Sequence, residues 1–156
     1  MYELLIKQFK LTRGYFIKNV ETISGDTASV QPAGFNNTIH WQIGHVLTVT
    51  EQFMLGFPHK TNHLPTNYIE LFGNGTKPAD WEGEIPPIEE LIPQLKEQLD
   101  RLQKIPMEQF NVKLDKPFMG LETFGELAGL TLMHEANHLG QIQAMKRLIE
   151  QAKVLK

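Results

Sequence analysis

The chain has 156 residues, 41% of them hydrophobic, with a formal net charge of −3 and no cysteine. That length and apolar content suit one domain over residues 1–156 with a single core, and the missing thiols exclude both a disulfide framework and a cysteine metal site. Any metal must therefore be held by nitrogen and oxygen ligands. Acidic and basic residues are interspersed, so neither nucleic acid nor a membrane surface is an expected partner. The opening residues MYELLIKQFKLTRGYF lack an unbroken apolar run after a basic start, which makes a cytoplasmic location the expectation.

Helical periodicity starts at once. Leu4, Leu5, Gln8, Leu11, Thr12, Tyr15 and Phe16 fall at three- and four-residue intervals, predicting a first helix from about Tyr2 to Ile23 with that stripe inward. Ser24 to Asn37 is rich in turn formers and reads as a loop ending in capping residues. A second helix is expected from Thr38, through Ile39, Gln42, His45, Val46, Val49 and Phe53, until Gly56 and Pro58 stop it. About thirty residues from Pro58 to Pro87 then form a connection long enough to carry function or hidden structure, with a helical turn predicted at Thr66–Phe72 before Gly73. Ile88, Leu91, Ile92, Leu95, Leu99 and Leu102 mark the third helix, in which Pro93 must either lie near the start or kink an early turn. A second loop follows Pro106 to about Gly120. Thr123 and Glu126 form a T-x-x-E capping box ahead of the fourth helix, which runs to about Glu150. Four long amphipathic helices without a convincing strand predict an all-α four-helix bundle with a long connection between the second and third helices.

The chemistry concentrates on histidine. His134 and His138 are one helical turn apart, within reach of one ion, and the fourth helix's expected inward stripe is Leu127, Thr131, His134, His138, Gln141, Met145 and Leu148. Two buried imidazoles must satisfy their polar nitrogens, and a shared metal does so while leaving one nitrogen on each ring for a further hydrogen bond. His45 lies on a stripe with Gln42, Val49 and Phe53, and so can meet them from the second helix. Three imidazoles leave a coordination position of Zn²⁺, Ni²⁺ or Fe²⁺ open, as in a reactive site. A lone histidine on an apolar stripe is more often a hydrogen-bonded core residue, so the i,i+4 pair carries most of the argument. His40 lies about 140° from His45 around the helix and is expected to face elsewhere. His59 and His63, in the long connection, are weak candidates for a lid.

His134-Glu135-Ala136-Asn137-His138 also satisfies H-E-x-x-H, whose glutamate is the general base of zinc peptidases. The extended form of that motif fails, because Gln141 and Ala144 stand where Gly and His are required. Glu135 reads as a flanking or surface residue. Trp41, Phe72 and Trp81 read as packing aromatics, and Gln141 as a partner for a ligand or a polar residue near the bundle end.

Three stretches together resemble the DinB-like (YfiT-like) superfamily of metal-binding four-helix bundles. They are NTIHWQIGHV from Asn37, LFGNG from Leu71, and HEANHLGQI from His134, the last similar to the family's H-x-x-x-H-x-G-Q-I. The resemblance covers almost the whole chain, departing at Leu139, where many members carry Arg. It implies that His45, His134 and His138 are metal ligands for one divalent ion. It also implies a small-molecule substrate, a thiol transferase or hydrolase reaction with a low-molecular-weight thiol as one form of cosubstrate, and a homodimer. A non-catalytic metal- or ligand-binding bundle is the second reading, and an H-E-x-x-H peptidase the third.

Overall fold

The computed structural model describes residues 2–156. Six α-helices carry most of the chain: α1 (Tyr2–Val20), α2 (Gly25–Ala28), α3 (Ile39–Leu55), α4 (Tyr68–Phe72), α5 (Ile88–Leu102) and α6 (Phe124–Val154). The four long ones, α1, α3, α5 and α6, pack as a ring in which α3 touches α6 and α5, and α1 touches the same two. Each buries an apolar stripe against its neighbours, so the architecture is the expected all-α bundle. Among the described residues no helix is long and apolar enough to cross a membrane.

The helix ends follow local chemistry. Thr38 accepts a hydrogen bond from the Trp41 amide and starts α3, and Gly56 ends it in the left-handed region at φ 76°. Thr123 and Glu126 form the reciprocal capping box at the head of α6, with Thr123 N donating to Glu126 Oε2 at 2.8 Å. Pro93 lies inside α5 on an exposed face, five residues after the start, so the ladder bond it forfeits opens towards solvent. The connection between α3 and α5 is ordered by α4, a 3₁₀ turn at Pro78–Asp80, and buried Leu64, Tyr68, Leu71 and Phe72.

Four expectations need correction, the first being that Ser24 to Asn37, expected to be a loop, holds the short helix α2 capped by Ser24. The segment after Pro106, expected to be a loop, holds a 3₁₀ turn and an antiparallel hairpin of β1 (Lys113–Phe118) and β2 (Leu121–Thr123). Nearly every β1 side chain is exposed, so the segment lacks the apolar alternation by which a strand is recognised. On α1 the buried stripe is Phe9, Arg13, Phe16, Ile17 and Val20, while Leu4, Leu11 and Tyr15 are more than half exposed. The stripe is out of phase with the apolar periodicity because an arginine, Arg13, stands at its centre. On α6 the buried stripe passes through Glu135, Ile142 and Ile149 where His134, Gln141 and Leu148 were expected. That rotation leaves His134 half-buried at the edge of the stripe and Leu148 exposed.

Five polar residues, Arg13, Glu51, Gln98, Arg101 and Glu135, form one continuous network across the bundle. Arg13 makes a two-pronged ion pair with Glu135, Nε to Oε1 at 2.6 Å and Nη2 to Oε2 at 2.9 Å, with both side chains fully buried. Its Nη1 donates to the Leu95 carbonyl and to Gln98 Oε1. Gln98 Nε2 donates in turn to the Leu47 carbonyl and Glu51 Oε2, and Glu51 takes a second two-pronged pair from Arg101 at 2.6 and 2.7 Å. Two cations and two anions thus join all four long helices, with the buried charges compensated. Glu135 and Glu51 stand on α6 and α3, so the network sets the rotation of both helices that carry the histidines.

Candidate metal centre

His45 on α3 meets His134 and His138 on α6. His134 Nε2 lies 3.1 Å from His45 Nε2 and 3.0 Å from His138 Nε2, and the three rings form a group of the kind that could hold a metal ion. Trp41 stacks on the His45 ring at a centroid distance of 4.3 Å, nearly parallel at 14°. The aromatic read as packing is thus a wall of the site.

The outer nitrogens define the tautomers. His45 Nδ1 lies 2.7 Å from the Phe72 carbonyl, which can only accept, so Nδ1 carries the proton and Nε2 presents a lone pair. His138 Nδ1 contacts Gln42 Oε1. The orientation of that amide is determined by its other end, since Gln42 Nε2 donates to Asn37 Oδ1 at 3.0 Å and to Gln141 Oε1 at 2.8 Å. His138 therefore also turns a lone pair inward. One proton on His134 Nε2 could serve only one of these two neighbours, so the triad by itself leaves an inward lone pair unmatched. A cation at the centre satisfies all three. Ligands about 2.0–2.1 Å from a tetrahedral ion stand roughly 3.3 Å apart, close to the two spacings observed. His134 Nδ1 is buried without a hydrogen-bond partner among the described residues, so it is the least tethered of the three rings.

Electrostatics agree with neutral imidazoles. Burial pushes His45 down to about 4 and His138 to about 3, with the neighbouring histidines adding to the depression, and burial lowers His134 as well. Uncharged imidazole is the ligating form, so the fold holds these rings ready at neutral pH.

Gly44 shows how closely the supports approach. A Cβ there would lie 2.3–2.5 Å from ring atoms of Phe72, whose carbonyl orients His45. Gly44→Ala should displace Phe72, lower stability by about 1–3 kcal/mol, and loosen the His45 contact. Thermal unfolding beside a metal titration reads both effects, and an unchanged melting temperature would show that α4 yields freely.

The other histidines stand apart. His40 Nε2 contacts the Pro86 carbonyl at 2.8 Å, and His63 pairs with Glu97 at the surface. Glu135, read as a flanking or surface residue, is fully buried, and Arg13 binds both its oxygens. A peptidase base needs a carboxylate oxygen free to face water at the ion, which this glutamate lacks. Sequence reasoning also missed the roles of Gln42 and of the Phe72 carbonyl; a buried glutamine one turn before His45 was the available signal for the first.

A cavity of about 880 Å³ opens beside the triad, within the size range of small-molecule sites. His45 and His134 line it, together with Val49, Phe53, Leu130 and Met133.

Fold and site together define a four-helix bundle with a buried three-histidine group beside an open pocket. The chain belongs to the DinB superfamily, whose family model matches residues 8–142. Its fold is similar to that of a crystal structure described as the conserved protein of locus from Enterococcus faecalis, with a TM-score of 0.70 at 16% identity, covering 97% of this chain and 98% of that one. No curated protein matches the sequence.

Proposed function

We propose that this protein is a metal-dependent enzyme acting on a small molecule, of the thiol-transferase or hydrolase type, with His45, His134 and His138 holding one divalent ion such as zinc, nickel or iron. The observation that carries the reading is the convergence of three inward ring nitrogens beside a pocket that His45 and His134 line. Three protein ligands would leave a coordination position of the ion open, and two of them, His45 and His134, line the pocket. When bound, such an ion supplies Lewis acidity, lowering the pKa of a thiol or water beside it. The chain's own residues bind and orient. Phe72 and Gln42 hold the protons of His45 and His138 on their outer nitrogens, Trp41 shields the His45 face, and Asn137 offers a polar group in the pocket wall. With no cysteine in the chain, any thiolate nucleophile comes from a cosubstrate.

Metal analysis of protein purified without an affinity tag or added metal tests this directly. About one equivalent in the wild type and almost none in His134→Ala/His138→Ala is the expected result. No metal in either, even after incubation with zinc, nickel and iron, would reduce the histidines to core residues.

A further inference from the structure

The hairpin beside the pocket has a backbone that its sequence does not favour. Phe118 pairs with Leu121, leaving Met119 and Gly120 as a two-residue turn with φ 53° and 83°. Two positive values are the signature of a type I′ turn, in which Asn-Gly is preferred and a long unbranched side chain at the first position is strained. Met119 is the only non-glycine residue with positive φ among those described, and it is 78% exposed, so no core contact holds it there. It is one of the residues that line the 880 Å³ pocket. Phe118 stands beside it, edge-on to Phe53 at 5.2 Å, and Met133, 62% exposed, is part of the same lining.

The pocket's charge is as informative as its shape. None of its lining residues is Lys, Arg, Asp or Glu. Its polar lining residues are His45, His134, Asn74, Asn137 and Gln52, while Phe118, Met119, Leu130 and Met133 present flexible or aromatic apolar surface. Thioethers adapt to varied apolar shapes, and a strained surface residue persists where it serves function.

We propose that the Phe118–Met119 hairpin tip is a specificity element that grips the uncharged alkyl or aryl body of the substrate while its polar head points to the histidines. The direction of the head rests on the proposed metal site; the apolar grip does not. A phosphate, sulfonate or ammonium group on the body would find no ionic partner in the wall.

The test is a titration of n-alkyl alcohols, butanol to octanol, into EDTA-treated full-length protein carrying ¹³C-methyl methionine. In the wild type the Met119 and Met133 methyl signals should shift, with affinity rising about fourfold for each added methylene. Met119→Asn supplies the residue the turn prefers, so its melting temperature should rise by about 2–4 °C while affinity, read at Met133, falls about fivefold. Affinity independent of chain length, or Met119→Asn binding as tightly as wild type, overturns the proposal. The metal content of the same preparation is scored separately. Binding that grows with chain length in a protein that takes up no metal supports the grip and refutes the metal reading, whereas a flat series in a metal-binding protein does the reverse.

Discussion

Arg13→Met should lower stability by about 3–5 kcal/mol, because it leaves the Glu135 carboxylate buried without its cation. For a chain of this size that corresponds to a fall in melting temperature of roughly 6–20 °C. Much of the loss belongs to the stranded charge, so Arg13→Met/Glu135→Leu should recover most of it. A deficit of about 1–2 kcal/mol should remain, since the Leu95 carbonyl and Gln98 Oε1 still lose their donor. Denaturant unfolding of the wild type, both single variants and the double variant measures the coupling. A single Arg13→Met variant within about 1 kcal/mol of wild type would mean that Glu135 finds water or takes up a proton at little expense. The effect should reach the site as well, since releasing Glu135 frees α6 to rotate and spreads His134 and His138 relative to His45. A weaker metal affinity in Arg13→Met than in the double variant would connect the charge network to the site.

Acidification should destabilise the metal-free protein well before its carboxylates titrate. The unfolded chain protonates its histidines near 6.5, whereas His45 and His138 stay neutral in the fold down to about 4 and 3. Between those values the unfolded state binds more protons, so stability is full above about pH 7 and falls as the pH drops through 6 and 5. Each of the two rings contributes a slope of roughly 1.4 kcal/mol per pH unit, and the lowered His134 adds in the same direction. From pH 7 to pH 5 the loss should be about 3–4 kcal/mol, measured by denaturant unfolding in the presence of EDTA. His45→Asn/His138→Asn should flatten the profile while retaining the fold. With metal present the drop should steepen, because protons compete for the same inward lone pairs and release the ion. A wild-type profile level between pH 5 and pH 7 would contradict the buried, neutral triad.

The sequence by itself determined the four long helices, the capping box at Thr123, the stop at Gly56, and the histidine pair on α6, because these depend on local backbone chemistry and on residues one turn apart. The i,i+4 pair on α6 needed no knowledge of the fold, and His45 joined it through its stripe with Gln42, Val49 and Phe53, in agreement with the three short motifs similar to the DinB superfamily. Where a signal required knowing what lay across the bundle, it was illegible. Arg13 and Glu135 look like surface charges until each becomes the other's partner, which shifted the inferred stripes on α1 and α6 away from those observed. The β1–β2 hairpin was hidden because its outward-facing strand carries no apolar alternation and its turn uses Met119 where asparagine would announce it. Only the tertiary structure turned the Phe72 carbonyl and Gln42 towards the histidines and opened an uncharged pocket beside them. Those features depend on distances between residues far apart in the chain, which periodicity along a single helix does not encode.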